Sequence, residues 1–142
     1  MSPQPQAMIS RAELDILKVL WEHGPGTVRQ INEELRGRGI RWAYTTVQTL
    51  LSRLQQKGFV DSDTASFAHV FRAARERHEL VDQGLRDLAE LLCDGDTAPL
   101  VQTLVQGHRF SPDEIEEFRR LLDRLERDAG RKKTRASKER PT

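Results

Sequence analysis

Between Ile9 and Ala73 the chain is punctuated so closely that only short elements fit. Ser10 stands before an apolar-periodic run and Glu13 follows three residues later. That is the spacing of a capping box, in which the hydroxyl accepts from the N3 amide and the carboxylate accepts from the cap amide. Ile9 and Leu14 occupy the two positions of a hydrophobic staple. Leu14, Leu17, Leu20 and Trp21 then recur at helical spacing until "HGPG" at 23–26 stops the helix, because glycine frees the backbone and proline cannot continue it. Thr27 with Gln30 opens a second helix whose inner stripe is Val28, Ile31 and Leu35 and whose end is marked by Gly37 and Gly39. A third helix is expected from near Tyr44 to Gly58. Val47, Leu50, Leu51 and Leu54 are its buried stripe, and Gly58 is the left-handed residue that closes it. Phe59 and Val60 enter a strand, "DSDTAS" at 61–66 reads as a polar turn, and Phe67, His69 and Phe71 alternate through a second strand. This predicts a β-hairpin over 59–73. Helices this short are marginal alone, so each must bury its stripe against the others. Three short helices and then a hairpin is the element order of a winged helix-turn-helix.

After Arg75 the character changes. "ERHELVDQGLRDLAELL" is a long amphipathic helix ending near "CDGD", and "APLVQTLVQ" is a short apolar one. The last helix is opened by Ser111, Pro112 and Glu114, with Phe110 and Ile115 as its staple and Ile115, Phe118, Leu121, Leu122 and Leu125 as its stripe. From Gly130 on, the chain is basic, aperiodic and almost free of apolar residues, which predicts an irregular tail. The expected organisation is a loose arm (1–8), a winged helix (9–74), a helical dimerisation region (75–129) and a disordered basic tail (130–142). The fold class is mainly α with a small β-hairpin. Leu80, Leu85, Leu88 and Leu92 line one helix, Leu100, Val101 and Leu104 the next, and Phe118 and Leu122 the last. One chain has few other elements to cover all these stripes. A homodimer through these residues is therefore expected, against the alternative that they fold back on the hairpin as a monomeric core.

Charge sharpens the division. The net charge of +1 hides a spread: residues 1–60 hold eight Lys/Arg against five Asp/Glu, 61–130 nine against sixteen, and 131–142 six against one. No acid occurs from Arg36 to Val60. At about 100° per residue, Thr45, Thr49, Ser52 and Gln56 fall opposite the core stripe of the third helix, with Gln48 and Arg53 on the flanks. Such short, uncharged side chains suit base edges, and threonine methyls suit the methyl of thymine. Arg41, Arg53 and Lys57 rim the face where phosphates would lie. The reading assigns Thr45, Gln48, Thr49 and Ser52 to bases, and Arg41, Tyr44, Thr46 and Arg53 to the phosphate backbone of double-stranded DNA. Threonines at 45, 46 and 49 are poor helix formers, so helix stability did not select them. The bland alternative is an ordinary polar surface. For Trp42 the bland alternative is favoured, a core plug between the second and third helices.

Other functions find little support. The single Cys93 allows neither an intrachain disulfide nor a cysteine-rich metal cluster, and its acidic neighbours disfavour a reactive thiolate. His78, Glu79 and Asp82 are only a weak metal candidate, so no cofactor is expected. No nucleophile motif, phosphate loop or paired acid and base stands out, which argues against an enzyme. There is no signal-peptide pattern and no apolar run of membrane-spanning length, so a soluble, cytoplasmic protein without membrane insertion is expected. The basic tail reads equally as a solvated extension or as a non-specific phosphate-binding arm.

The segments "AELDILKVLWEHGPGTVRQINEEL" and "WAYTTVQTLLSRLQQKGFV" resemble the BlaI/MecI/CopY family of penicillinase and methicillin-resistance repressors. Leu20-Trp21, Thr27-Val28, Trp42, Thr45-Thr46-Val47 and Lys57-Gly58-Phe59-Val60 are among the diagnostic residues, and the likeness runs over roughly residues 9 to 126. The resemblance implies a cytoplasmic homodimer that binds an inverted-repeat operator and represses transcription. Thr45, Thr46, Gln48 and Thr49 stand where family members contact DNA. A membrane sensor protease pathway upstream is also implied. Thr103-Leu104 matches the position of the bond cut in staphylococcal members. The chain departs from the family in its acidic hairpin turn, in lacking the cysteine cluster of copper-responsive members, and in its basic tail. A winged helix serving protein assembly, without a specific DNA target, is the competing reading.

Overall fold

The structure, a computed structural model, describes residues 9–65 and 67–139. Among them the elements run α1 (Arg11–His23), α2 (Val28–Gly37), α3 (Tyr44–Gln56), β1 (Val60–Asp63), β2 (Val70–Ala73), α4 (Arg77–Cys93), α5 (Ala98–Gly107) and α6 (Pro112–Glu139). This is the mainly helical fold with one small hairpin that the sequence implies. The arm at 1–8 and the last residues of the tail, 140–142, lie outside the described residues.

The helix starts follow the sequence punctuation closely. The Glu13 amide donates to Ser10 Oγ and the Ser10 amide to Glu13 Oε1, both at 3.1 Å. Thr27 and Gln30 exchange the same pair of bonds at 2.9 and 3.2 Å, and Ser111 and Glu114 at 2.9 and 3.1 Å. At the end of α3, Gly58 takes φ 83°, its amide donates to the Gln55 carbonyl, and the Phe59 amide donates to the Leu54 carbonyl. These two bonds are the Schellman closure, which favours glycine because the left-handed region strains residues with a Cβ.

α1, α2, α3 and the hairpin enclose one core. Val28, Ile31 and Leu35 of α2 and Val47, Leu50, Leu51 and Leu54 of α3 are buried in it with Phe59, Val60 and Phe71. On α1 the buried set is Ile16, Leu17, Val19 and Leu20. It is wider than the expected stripe, while Leu14 and Trp21 stay partly exposed. α1 touches α2, α3 and β2 at once, so its covered arc exceeds that of a helix packed on one neighbour.

β1 and β2 pair antiparallel from Val60↔Ala73 to Asp63↔Val70. Phe67 and His69, expected in the second strand, lie instead outside it, ahead of Val70. The ladder stops at Asp63, whose Oδ1 accepts the Ala65 amide at 2.9 Å and turns the chain away. Gly26, in the loop between α1 and α2, exchanges two backbone bonds with Phe71 at 3.0 and 2.8 Å, an isolated antiparallel bridge on the edge of β2 away from β1.

The chain divides into two compact units, residues 1–97 and 98–142. The break falls after α4, and not at 74/75 where the sequence character changes. Leu80 packs against the winged-helix core, and the Trp21 indole N–H donates to the Arg75 carbonyl at 2.8 Å, tying the start of α4 to α1. In the second unit, Phe110 meets the ring of Phe118 edge-on, with centroids 5.0 Å apart. α6 corrects one expectation: it continues past Gly130 through Arg131 to Glu139, where an irregular basic tail was expected. Extending an existing helix adds a hydrogen bond for each residue fixed, and Arg, Lys and Ala are good helix formers, so one glycine does not end it.

Candidate nucleic-acid interface

The helix-turn-helix positions the site. α2 and α3 pack together through the stripes described above, which turns the opposite side of α3 to solvent. Arg41, Tyr44, Thr45, Thr46, Gln48, Thr49, Ser52 and Arg53 are all exposed, whereas Val47, Leu51 and Leu54 are fully buried. All eight side chains assigned to DNA are therefore accessible. Trp42 packs, partly buried, against the core, in line with the structural role favoured for it.

The start of α3 differs from those of α1, α2 and α6. Ala43 provides no side-chain cap, and its carbonyl accepts backbone bonds from Thr46 and Val47. No acid lies in that turn, so the positive end of the helix dipole is not offset there. Gln55 Nε2 donates to Ser62 Oγ at 2.9 Å and ties the far end of α3 to β1. Between α3 and the hairpin connection lies an open trough of about 600 Å³, whose lining includes Arg29, Tyr44, Gln48, Ser52 and His69 and no acid. The acids of the hairpin sit elsewhere: Asp63 faces Arg72 at 3.5 Å.

Lys57 is corrected by the structure. Expected at the phosphate rim, it instead donates from Nζ to both carboxylate oxygens of Glu13, at 2.8 and 2.9 Å. Glu13 is 2% exposed, so a residue legible only as a helix cap also anchors the end of α3 to the start of α1. Burial pushes the Glu13 carboxyl up. The Lys57 hydrogen bond, the Ser10 bonds and the Lys57 charge outweigh it and hold the group below its ordinary value. No local pattern announces a pairing across 44 positions. α2 also contributes more than the sequence suggested. Arg29, Asn32, Arg36 and Tyr44 help line a second cleft, of about 380 Å³, where Glu33 pairs with Arg29 at 3.4 Å. Asn32 is buried there, and its Oδ1 has no hydrogen-bond partner among the described residues.

The expected dimerisation residues divide. Leu80 is committed to the winged-helix core, while Leu85, Leu88 and Leu92 on α4 are exposed. In the second unit Leu100 is half-buried, and Val101, Leu104, Phe118 and Leu122 are exposed. Among the described residues, no group of three or more His, Cys, Asp or Glu side chains is placed to hold a metal ion. Among them also, no helix is long and apolar enough to cross a membrane.

Comparison with known proteins gives consistent matches. A family model described as penicillinase repressor matches residues 9–124. The transcriptional regulator BlaI of Mycobacterium tuberculosis is 35% identical over 120 residues, which cover 83% of this chain and 85% of that protein. The methicillin resistance regulatory protein MecI of Staphylococcus aureus is 27% identical over 116 residues, covering 82% and 94% respectively. Among solved structures, the DNA binding domain of the repressor BlaI in solution is 30% identical. It covers 54% of this chain and 90% of its own, with a TM-score of 0.45.

Proposed function

We propose, since the chain belongs to the penicillinase repressor family, that it is a transcriptional repressor that binds an inverted-repeat DNA operator as a homodimer. The observation that carries this reading is the exposed, acid-free outer face of α3, set on a buried stripe that holds it rigidly. Thr45, Gln48, Thr49 and Ser52 offer hydrogen-bonding groups and methyls to base edges in a major groove. Arg41, Tyr44, Thr46 and Arg53 meet phosphates at the rim, and the uncapped first turn of α3 adds backbone amides to that contact. Two such helices read two half-sites at a fixed spacing, which requires a symmetric pair of chains. The exposed apolar side chains of α4, α5 and α6 supply the surface for that pairing. Repression is relieved by an upstream signal such as sensor-triggered proteolysis, with Thr103-Leu104 in α5 as the matching bond.

Binding-site selection from a randomised duplex library, followed by fluorescence anisotropy, tests the reading. The selected site is expected to be dyad-symmetric. Gln48→Ala and Thr46→Ala should then differ. Removing base hydrogen bonds at Gln48 should cost about 1–3 kcal/mol on the selected site and little on random duplex. Thr46→Ala should weaken both alike. Equal losses for Gln48→Ala on the two duplexes would remove base readout. Failure to select any site would favour a protein-assembly role.

A further inference from the structure

Gln48, Thr49 and Ser52 all face outward on α3, but their polar groups are not equally available. Thr49 Oγ1 donates to the Thr45 carbonyl, one helical turn earlier, at 3.0 Å. No side-chain hydrogen bond joins Gln48 or Ser52 to another described residue. Threonine in a helix can choose this rotamer because its hydroxyl reaches the carbonyl four residues back. Once it does, the hydroxyl proton is used within the helix. The other heavy atom on Cβ, the γ-methyl, becomes the group available at an exposed position. A hydroxyl reads hydrogen-bond donors and acceptors. A methyl reads another apolar group, and in the major groove the bases offer one, the C5-methyl of thymine.

Resting on the reading of α3 as the base-reading helix, we propose that Thr49 is a specificity-determining residue that recognises a thymine through methyl–methyl contact. Its hydroxyl serves to lock the rotamer and makes no bond to a base. Thr49 thus differs in chemistry from Gln48 and Ser52 beside it, which read by hydrogen bonds. Threonine here carries one group for the helix and one for the DNA.

The test replaces each thymine of the selected site in turn with deoxyuridine, which keeps every hydrogen-bonding group and lacks only the methyl. Anisotropy titrations compare the full-length protein with Thr49→Ser and Thr49→Val, each checked for unchanged far-UV circular dichroism. At one thymine position the wild-type protein should lose about fourfold in affinity on going to uracil, the worth of burying one methyl-sized group. Thr49→Val keeps the methyl and should keep both affinity and that discrimination. Thr49→Ser keeps the hydroxyl, loses the methyl, and should bind the thymine and uracil duplexes alike. The proposal is overturned if no position distinguishes thymine from uracil, if Thr49→Ser still discriminates, or if Thr49→Val binds the selected site much more weakly than wild type. In each of those cases the selected site is still bound by the wild-type protein, so the repressor reading stands. If no site is selected at all, that reading falls and this inference falls with it.

Discussion

Replacing Lys57 with Met isolates the carboxylate of Glu13 in the interior. The Lys57 ammonium lies 2.8 and 2.9 Å from the two oxygens of that carboxylate. Glu13 has 2% of its side chain exposed, and Lys57 33%. Two limits bracket the effect. An exposed ion pair contributes roughly 0–1 kcal/mol. Removing one partner of a fully buried pair costs about 3–5 kcal/mol, because the remaining charge has no water to replace the lost partner. A one-third exposed lysine over a buried carboxylate falls between these limits, at about 2 kcal/mol near pH 7. The Ser10 amide still donates to Oε1 at 3.1 Å, which keeps the loss from the upper limit. In the native protein the Glu13 carboxyl is held below its ordinary 4.5, so its contribution is present above that pH and is lost as pH falls through the native value. In Lys57→Met the burial remains and the partner is gone, so the carboxyl takes up its proton at higher pH. The stability gap between the two proteins should therefore narrow from pH 7 toward pH 4. Trp21 and Trp42 both lie in the first unit, so urea titration followed by tryptophan fluorescence reports on it. A gap under about 1 kcal/mol at pH 7, no more than an exposed pair contributes, would refute the reasoning. So would a full gap that persists unchanged at pH 4.

Gly58→Ala should destabilise the first unit by about 1–2 kcal/mol in the same titration. A Cβ there meets nothing within 4 Å, so only the left-handed backbone at φ 83° resists it, and an unchanged midpoint would refute that account. Trp21→Phe removes the 2.8 Å bond to the Arg75 carbonyl and should cost about 1 kcal/mol. Hydrogen exchange should also quicken in the first turn of α4, and unaltered protection there would show that the indole does not tie it down. Leu122→Glu places a charge on a side chain 62% exposed in the single chain. It should leave helicity intact and, on the proposed homodimer, shift analytical ultracentrifugation toward monomer; an undisturbed dimer would exclude Leu122 from the proposed interface.

Helix starts and ends were legible in both units because they rest on local chemistry. Capping boxes at Ser10, Thr27 and Ser111 and the left-handed Gly58 act over a few residues, and each adopts the geometry its spacing implies. The second strand was less legible. Phe67, His69 and Phe71 alternate as a strand would, but pairing register begins only at Val70, and register depends on the partner strand. The end of α6 was misread because irregular composition near Gly130 signals a tail only when no preceding helix propagates into it.

By itself the sequence determined which face of α3 would meet solvent, since the 100° helical step sets Thr45, Thr49 and Ser52 opposite Val47, Leu50 and Leu54 wherever the helix is placed. Tertiary structure alone decided that Lys57 turns inward to Glu13, that Gly26 pairs with Phe71 on the outer edge of β2, and that α4 groups with the winged helix. Each of those contacts joins residues far apart in the chain. Periodicity fixes a side chain's direction on its own helix, and only packing determines which distant group it meets there.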